Sequence, residues 1–306
     1  MVPSPRVSEA ERVQLEDLAY EIRRLTVEMV AYAQWGHIAG SLSMAEILAL
    51  LYGRELVVDP ENPNWPGRDR LVLSKAHTSP GLYAALALRG FFPIDALYEY
   101  CDIDGILEGH SDVVATPGLE TSGGLLGMGL SVAQGMAIGL RMSGDTRARV
   151  YCILGDGEMN EGNIWEAMGS ASHYKLDNLI AVLDYNRIMA KASVANQMNI
   201  EPIADRFRAF GWDVIDVDGH DIDALAQALY DARWILPAGR PVVIIARTVK
   251  GRGVAVAENS SRWHTHAPNP QTADGMLLEL ATAYDRPYVA YSKSSEPVKK
   301  EAFPGD

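Results

Sequence analysis

An apolar run, Val150 to Leu154, stops at Gly155-Asp156-Gly157, and a second, Leu179 to Leu183, stops at Asn186. Residues 162–174, between them, carry helical periodicity. Strand, helix and strand make the unit of a parallel sheet, because two parallel strands cannot be joined by a tight turn. Both runs then end at the same edge of the sheet, and ligands of open α/β sheets sit outside that carboxyl edge. A carboxylate and an amide oxygen at neighbouring strand tips suit a hard cation such as Mg2+ or Ca2+, which takes oxygen ligands and shares its shell with phosphates. The glycines admit a phosphate close to the backbone, and the N-terminus of the following helix favours negative charge. The ligand predicted here is a metal-bound diphosphate. Gly-Asp-Gly alone is a common turn; the flanking strands and the Asn at the second tip carry the reading.

The alternation continues downstream. Trp212 to Val217 and Pro241 to Val249 have strand character, and 201–210 and 221–236 helical character. Upstream, Leu71-Val72-Leu73 is a short predicted strand ending at Ser74-Lys75-Ala76-His77. The fold class is therefore α/β, a parallel sheet with helices on both faces. Residues 8–35 have the period of an N-terminal helix, and Ser43-x-x-Glu46 has the spacing of a capping box opening MAEILALLY. Gly123 to Gly129 is expected to open a small-residue helix up to Met142. Its five internal glycines and Gln134 make this most apolar stretch a buried helix rather than a membrane span. Residues 1–290 are expected to form one domain, and 291–306, polar with two prolines, a surface tail.

A chain of 306 residues with 48% hydrophobic content can bury a large core. Its net charge of -13 argues against nucleic acid and anionic membranes as partners, but says little about a small anion held by local groups. Two cysteines and an N-terminus without a signal-peptide apolar region fit a reducing cytoplasm.

Four of the seven histidines, His37, His77, His110 and His264, lie in segments with the character of sheet-edge loops. A loop histidine is ordinarily a surface residue. Clustered neutral imidazoles, however, relay protons and bind sugar hydroxyls near neutral pH. His173 and His220 have a structural reading, and His266 is ambiguous beside His264. No HExxH or close His pair with an acidic third ligand supports a zinc hydrolase.

The ordered segments GHIAGSLSMAEIL, DRLVLSKAHTSPGLYAAL, TPGLETSGGLLGMGLSVAQGMAIGLR, GDGEMNEGNIWEA, LDYN, FGWDVIDVDGHD and TVKGRGVAVAENSSRWH resemble one family. From about residue 17 to residue 270 the chain resembles the N-terminal half of transketolase, which binds the diphosphate of thiamine diphosphate. It resembles most closely the split transketolases, whose two halves are separate chains. The resemblance implies a thiamine diphosphate-binding fold of the diphosphate-binding type. It implies Asp156, Asn186 and the carbonyl of Ile188 as ligands of Mg2+ or Ca2+, and Gly157 and Asn186 at the diphosphate. It implies His77 and His264 beside the phosphates, and Gly124, Leu125 and Leu126 along the aminopyrimidine. His37, His110 and His264 would contact ketose hydroxyls and assist proton transfer, and Glu161 would join a network between the two active sites of a dimer. Two departures stand out. Arg187-Ile188-Met189-Ala190-Lys191-Ala192 lacks the acidic residue usual after the Asn, and Lys191 adds charge near the metal loop. The C-terminal half, with its activating glutamate and the arginines that grip sugar phosphates, is not in this sequence.

The resemblance therefore implies a two-chain transketolase moving a ketol unit from a ketose, phosphorylated or sulfonated, to an aldose. Its partner would be a pyrimidine-binding C-terminal subunit, in an α2β2 assembly. The competing readings are the α subunit of a 2-oxoacid decarboxylating dehydrogenase, which usually lacks the early Gly-His and the SKAHTSPG histidine, and a non-catalytic transketolase-like half. 1-Deoxyxylulose-5-phosphate synthase differs after the Gly-Asp-Gly.

Overall fold

The apolar runs become five strands: β1 (Arg70–Leu73), β2 (Val150–Gly155), β3 (Leu179–Tyr185), β4 (Asp213–Asp218) and β5 (Val242–Arg247). They form one sheet in the order β1-β2-β3-β5-β4, with every neighbouring pair parallel. The computed structural model describes residues 6–236 and 239–291. Apart from Tyr291, the expected tail lies outside the described residues. The helices are α1 (Glu9–Ala33), α2 (Ile38–Ser43), α3 (Ala45–Leu50), α4 (Ser79–Arg89), α5 (Met128–Met142), α6 (Gly162–His173), α7 (Val194–Gln197), α8 (Ile203–Ala209), α9 (Ile222–Tyr230) and α10 (Pro270–Ala283).

Period-two alternation divides the strand residues between two cores. Tyr151, Ile153, Ile180, Val182, Val242 and Ile244 pack with α1, α3, α4 and α9. Cys152, Leu154, Ala181, Leu183, Val243 and Ile245 pack with α5, α6 and α8 on the opposite face. Strands covered on both faces must be apolar throughout, and β3 is buried at all seven positions. Each buried Leu, Ile or Val contributes about 1.5–3 kcal/mol. A third cluster joins α1, α2 and α10 around Val254 and Trp263. Helices thus lie on both faces of a parallel sheet, as predicted.

Three local expectations change. Ser43 does not open a helix: it is the last residue of α2 and its hydroxyl meets Asp184 Oδ2 at 2.6 Å, while Glu46 pairs with Arg23 at 2.6 Å. The small-residue helix starts at Met128, not in the Gly123 region, because Gly124 (φ 152) and Gly127 (φ 84) hold the preceding loop in left-handed backbone that a helix cannot contain. Nor is that helix buried all round, since Met128, Gly135, Gly139 and Met142 form an exposed stripe. The segment 221–236 also ends its regular helix at Tyr230 and finishes in a π-helical turn, Asp231–Ile235.

Candidate functional site

Strand register builds the site. Gly155 lies opposite Asp184 across β2 and β3, so Asp156 falls level with Tyr185, and Asn186 comes one residue beyond. Neighbouring strands run about 4.8 Å apart, which brings the two tips together. Both side chains are buried. Asp156 Oδ1 accepts from Gly157 N at 2.7 Å, and Oδ2 accepts from Arg187 N. Arg187 takes a left-handed φ of 66° there. These hydrogen bonds come from the backbone, not from a cationic side chain. Burial, and then the neighbouring Asp184, push the Asp156 carboxyl up to about 6. Lys75 and Lys250 act on this carboxylate from a distance, but no cationic side chain contacts it, and a divalent cation would fill that place.

The neighbouring oxygens complete a donor set for such an ion. Asn186 Nδ2 donates to Asp184 Oδ2 at 3.2 Å, so its Oδ1 is turned the other way, toward Ile188 N at 3.1 Å. Residues 188–193 close through a bridge between Ile188 and Ser193, and the carbonyl of Ile188 accepts from Lys250 Nζ at 2.9 Å. Carboxylate, amide oxygen and backbone carbonyl are hard ligands, which fit Mg2+ or Ca2+ with the remaining places taken by phosphate and water. Among the described residues no group of three or more His, Cys, Asp or Glu could hold a metal ion. The histidines are left to other work.

Three of them form a triangle. Ring centroids of His37 and His77 are 5.0 Å apart, and His264 is 5.2 Å from each. His110 stands on the outer side, 6.0 Å from His37 and 6.2 Å from Trp35. Burial, ahead of repulsion by neighbouring imidazoles and lysines, lowers His37 to about 4, His264 to about 3, and His77 well below its ordinary value. All three are neutral at pH 7, and His37 Nδ1 is buried without a hydrogen-bond partner.

A cavity of about 390 Å3 opens at the strand tips, lined by His37, His77, His264, Asp156, Gly157, Asn186 and Ile188. Gly124, Leu126 and Glu161 also border it. Leu125 and His110 do not; Leu125 is 78% exposed. Lys191 is exposed and stays out of the lining. His220 is held between Glu46, 3.0 Å from Nδ1, and Val249 N, which donates to Nε2 at 2.8 Å.

Motif reading passed over the residues that hold these loops together. Asp184, fully buried at the end of β3, accepts from Ser43, Lys75, Thr248 and Asn186. Glu158 accepts from Gly127 N at 2.8 Å, Gly155 N at 3.1 Å and Ser74 Oγ, joining the ends of β1 and β2 to the start of α5. Lys250 Nζ also reaches Met189 O at 3.2 Å and His264 Nδ1 at 3.1 Å, and burial lowers its pKa to about 8. Their signal was a charged residue inside an apolar strand, as in LIAVLDY, or beside the motif histidine, as in SKAH.

Residues 15–280 match the family model of the transketolase thiamine diphosphate-binding domain. The chain is 42% identical to the 6-deoxy-6-sulfo-D-fructose transketolase subunit of Clostridium sp. strain MSTE9, over 88% of this chain and 97% of that protein. It is 34% identical to one of the separate chains of the apulose-4-phosphate transketolase of Phocaeicola vulgatus, over 86% and 92% of the two sequences. Human transketolase is 38% identical over 87% of this chain, but over only 42% of its own length. The crystal structure of Campylobacter jejuni transketolase superimposes with a TM-score of 0.83 at 30% identity, covering 92% of this chain and 44% of that one. The chain spans less than half of these single-chain enzymes and nearly the whole of the separate subunits. It belongs to the transketolase family, by the N-terminal, thiamine diphosphate-binding domain that split transketolases carry as a chain of its own.

Proposed function

We propose that this chain works as one half of a two-chain transketolase that moves a two-carbon ketol unit from a ketose to an aldose. The observation that carries the reading is the cavity at the strand tips, where a cation-poor buried carboxylate faces three neutral imidazoles. Thiamine diphosphate, when bound, supplies the carbon nucleophile that receives and releases the two-carbon unit.

The chain's own residues bind, orient and move protons. Asp156, Asn186 and the carbonyl of Ile188 hold Mg2+ or Ca2+ against the diphosphate. Gly157 keeps the approach open, since a Cβ there would come 3.2 Å from Met189 Cγ. His77 and His264 border the phosphates, and Gly124, Leu125 and Leu126 the aminopyrimidine. His37 and His264 take up and return the proton of the donor's C3 hydroxyl, for which a neutral ring is the competent form. His110 holds the C1 hydroxyl, and Glu161 links the paired sites of the assembly.

The remaining groups come from a pyrimidine-binding C-terminal partner, in a cytoplasmic α2β2 enzyme. No arginine lines the cavity among the described residues, so the donor's terminal anion is gripped from the partner's side. The relatives named for a sulfonated fructose and for apulose 4-phosphate favour a ketose ending in a sulfonate or phosphate as donor. The test is ketol transfer by the purified chain with thiamine diphosphate and Mg2+, with and without a C-terminal transketolase subunit. Turnover is expected only with both chains. Full activity of this chain alone overturns the two-chain reading, and no activity with any ketose in the presence of a bound partner overturns the enzymatic one.

A further inference from the structure

At the amino end of the same strands lies a second cavity, of about 430 Å3, which the ketol chemistry does not use. Its ionisable lining is unbalanced. Arg54, Arg147, Arg149 and Arg233 face only Glu55 and Asp69, in a chain whose net charge is -13. Both acids are already engaged. Asp69 Oδ2 accepts from Arg233 Nη1 at 2.7 Å, and Glu55 lies 3.4 Å from Arg54. Two cations remain without a contacting carboxylate side chain, with Asp145 acting on Arg147 and Asp177 on Arg149 only from a distance. Arg147 is exposed at the mouth and enters no ion pair among the described residues. Arg149 turns Nη1 toward the carbonyls of Thr146 at 3.0 Å and Arg147 at 3.1 Å, while its Nε is buried without a hydrogen-bond partner. Burial, and then Arg233, hold its pKa below the ordinary value, so an incoming anion would relieve repulsion already present.

The walls are aromatic. Trp65 and Trp234 both line the cavity and are each more than a third exposed. Gly67 lies under the Trp65 indole, where a Cβ would come 2.9 Å from the ring, and the Arg233 guanidinium sits 5.3 Å from the Trp234 centroid. Arginine forks match phosphate oxygens, and indoles cover a flat organic body. We propose that this cavity binds a small phosphate monoester, its phosphate held by Arg147 and Arg149 and its organic part laid against Trp65 and Trp234. Arg149 directly precedes β2 and Asp69 directly precedes β1, whose far ends carry Asp156 and Lys75. The six residues of β2 span roughly 20 Å between the two cavities.

The test titrates the full chain with phenyl phosphate and with inorganic phosphate by calorimetry, in excess thiamine diphosphate and Mg2+ so that the catalytic edge is competed for. Phenyl phosphate is expected to bind at one site, with at least tenfold loss in Arg149→Gln and in Arg147→Glu. Arg147 is exposed, so its replacement leaves the fold intact even where Arg149→Gln does not. Trp65→Ala should weaken phenyl phosphate and leave inorganic phosphate unchanged. Absence of saturable binding at millimolar concentration, or equal affinity in parent and Arg147→Glu, overturns the site.

Discussion

Removing either member of the Lys75–Asp184 pair should be costly, and the two removals should differ in a direction that the structure fixes. The side chains are 4% and 0% exposed. Burial alone would raise the Asp184 carboxyl, but Lys75 and the hydroxyls of Ser43 and Thr248 outweigh it and hold the pKa below its ordinary value. Leaving one partner of a buried pair without the other costs about 3–5 kcal/mol. Lys75→Met leaves a carboxylate that still accepts from Ser43, Thr248 and Asn186. Asp184→Asn leaves the ammonium with only neutral acceptors in contact, the Gly40 carbonyl 3.2 Å away and the new amide oxygen, and sets an amide NH2 among the donors Ser43, Thr248 and Asn186. The first belongs near 3 kcal/mol and the second near 5 kcal/mol on that scale, or roughly 6 and 10 °C in Tm at about 2 °C per kcal/mol for a domain of this size.

Urea unfolding followed by far-UV circular dichroism measures both, and the double variant closes the cycle. Because the double variant removes both charges of the pair and leaves neither uncompensated, it should cost less than the sum of the singles by about 3 kcal/mol. Additive singles, or an Asp184→Asn cost below about 1 kcal/mol, would refute the view that this pair organises the strand tips.

Three further outcomes follow from the same geometry. With Mg2+ present Asp156→Asn should weaken thiamine diphosphate binding by about a hundredfold or more, yet in EDTA it should bind at least as well as the parent, because a charge that repels phosphate is gone; calorimetry with the C-terminal partner present reads both arms. His37 titrates near 4 in the fold and about 6.5 when unfolded, so its stabilising contribution is complete above 6.5 and is lost as pH falls toward 4. His37→Asn should therefore remove about 1–2 kcal/mol of the isolated chain's stability loss between pH 7.5 and pH 5; the difference between variant and parent cancels Asp156, which works in the opposite sense. On α5, Gly129→Ala should cost about 1–3 kcal/mol, since its Cβ would lie 2.5 Å from Ser74 Cα, whereas Gly135→Ala meets nothing within 4 Å and should gain up to about 1 kcal/mol; thermal melts of the chain alone would show a common sign if helix propensity, not packing, decided both.

How much of this was legible follows from the range of each signal. Strands and tips were readable because β2 and β3 are covered on both faces, so burial writes an unbroken apolar run that a carboxylate or amide visibly ends. Ser43 misled because the spacing to Glu46 is local while its partner, Asp184, is 141 positions away. The Gly123 region has the small apolar composition of a helix, but its backbone is left-handed at Gly124 and Gly127, and at Gly127 close approach requires glycine, with Glu161 Cβ 2.6 Å from where its Cβ would stand. Lys75, Glu158 and Lys250 are illegible as buried charges because their partners, Asp184, Gly127 N and the Ile188 carbonyl, lie 109, 31 and 62 positions away.

Those buried charges set what the proposed cation would meet at this edge. Asp156, Glu158 and Asp184 face Lys75 and Lys250, all of them buried. Lys75 is committed to Asp184, Glu158 is satisfied by two backbone N–H groups and a hydroxyl, and Lys250 is spread over two carbonyls and an imidazole. Asp156 and Glu158 both lack a cationic contact, and of the two Asp156 is the one at the tip of the strand beside Asn186. A phosphate oxygen placed about 4 Å from it would be repelled by roughly 4 kcal/mol at an effective dielectric of about 20. A divalent ion between the two, roughly 2 Å from each, reverses the sign, attracting each by about four times that amount before its own dehydration is counted. On the proposed reading metal and diphosphate fill this site together, and neither should bind well without the other.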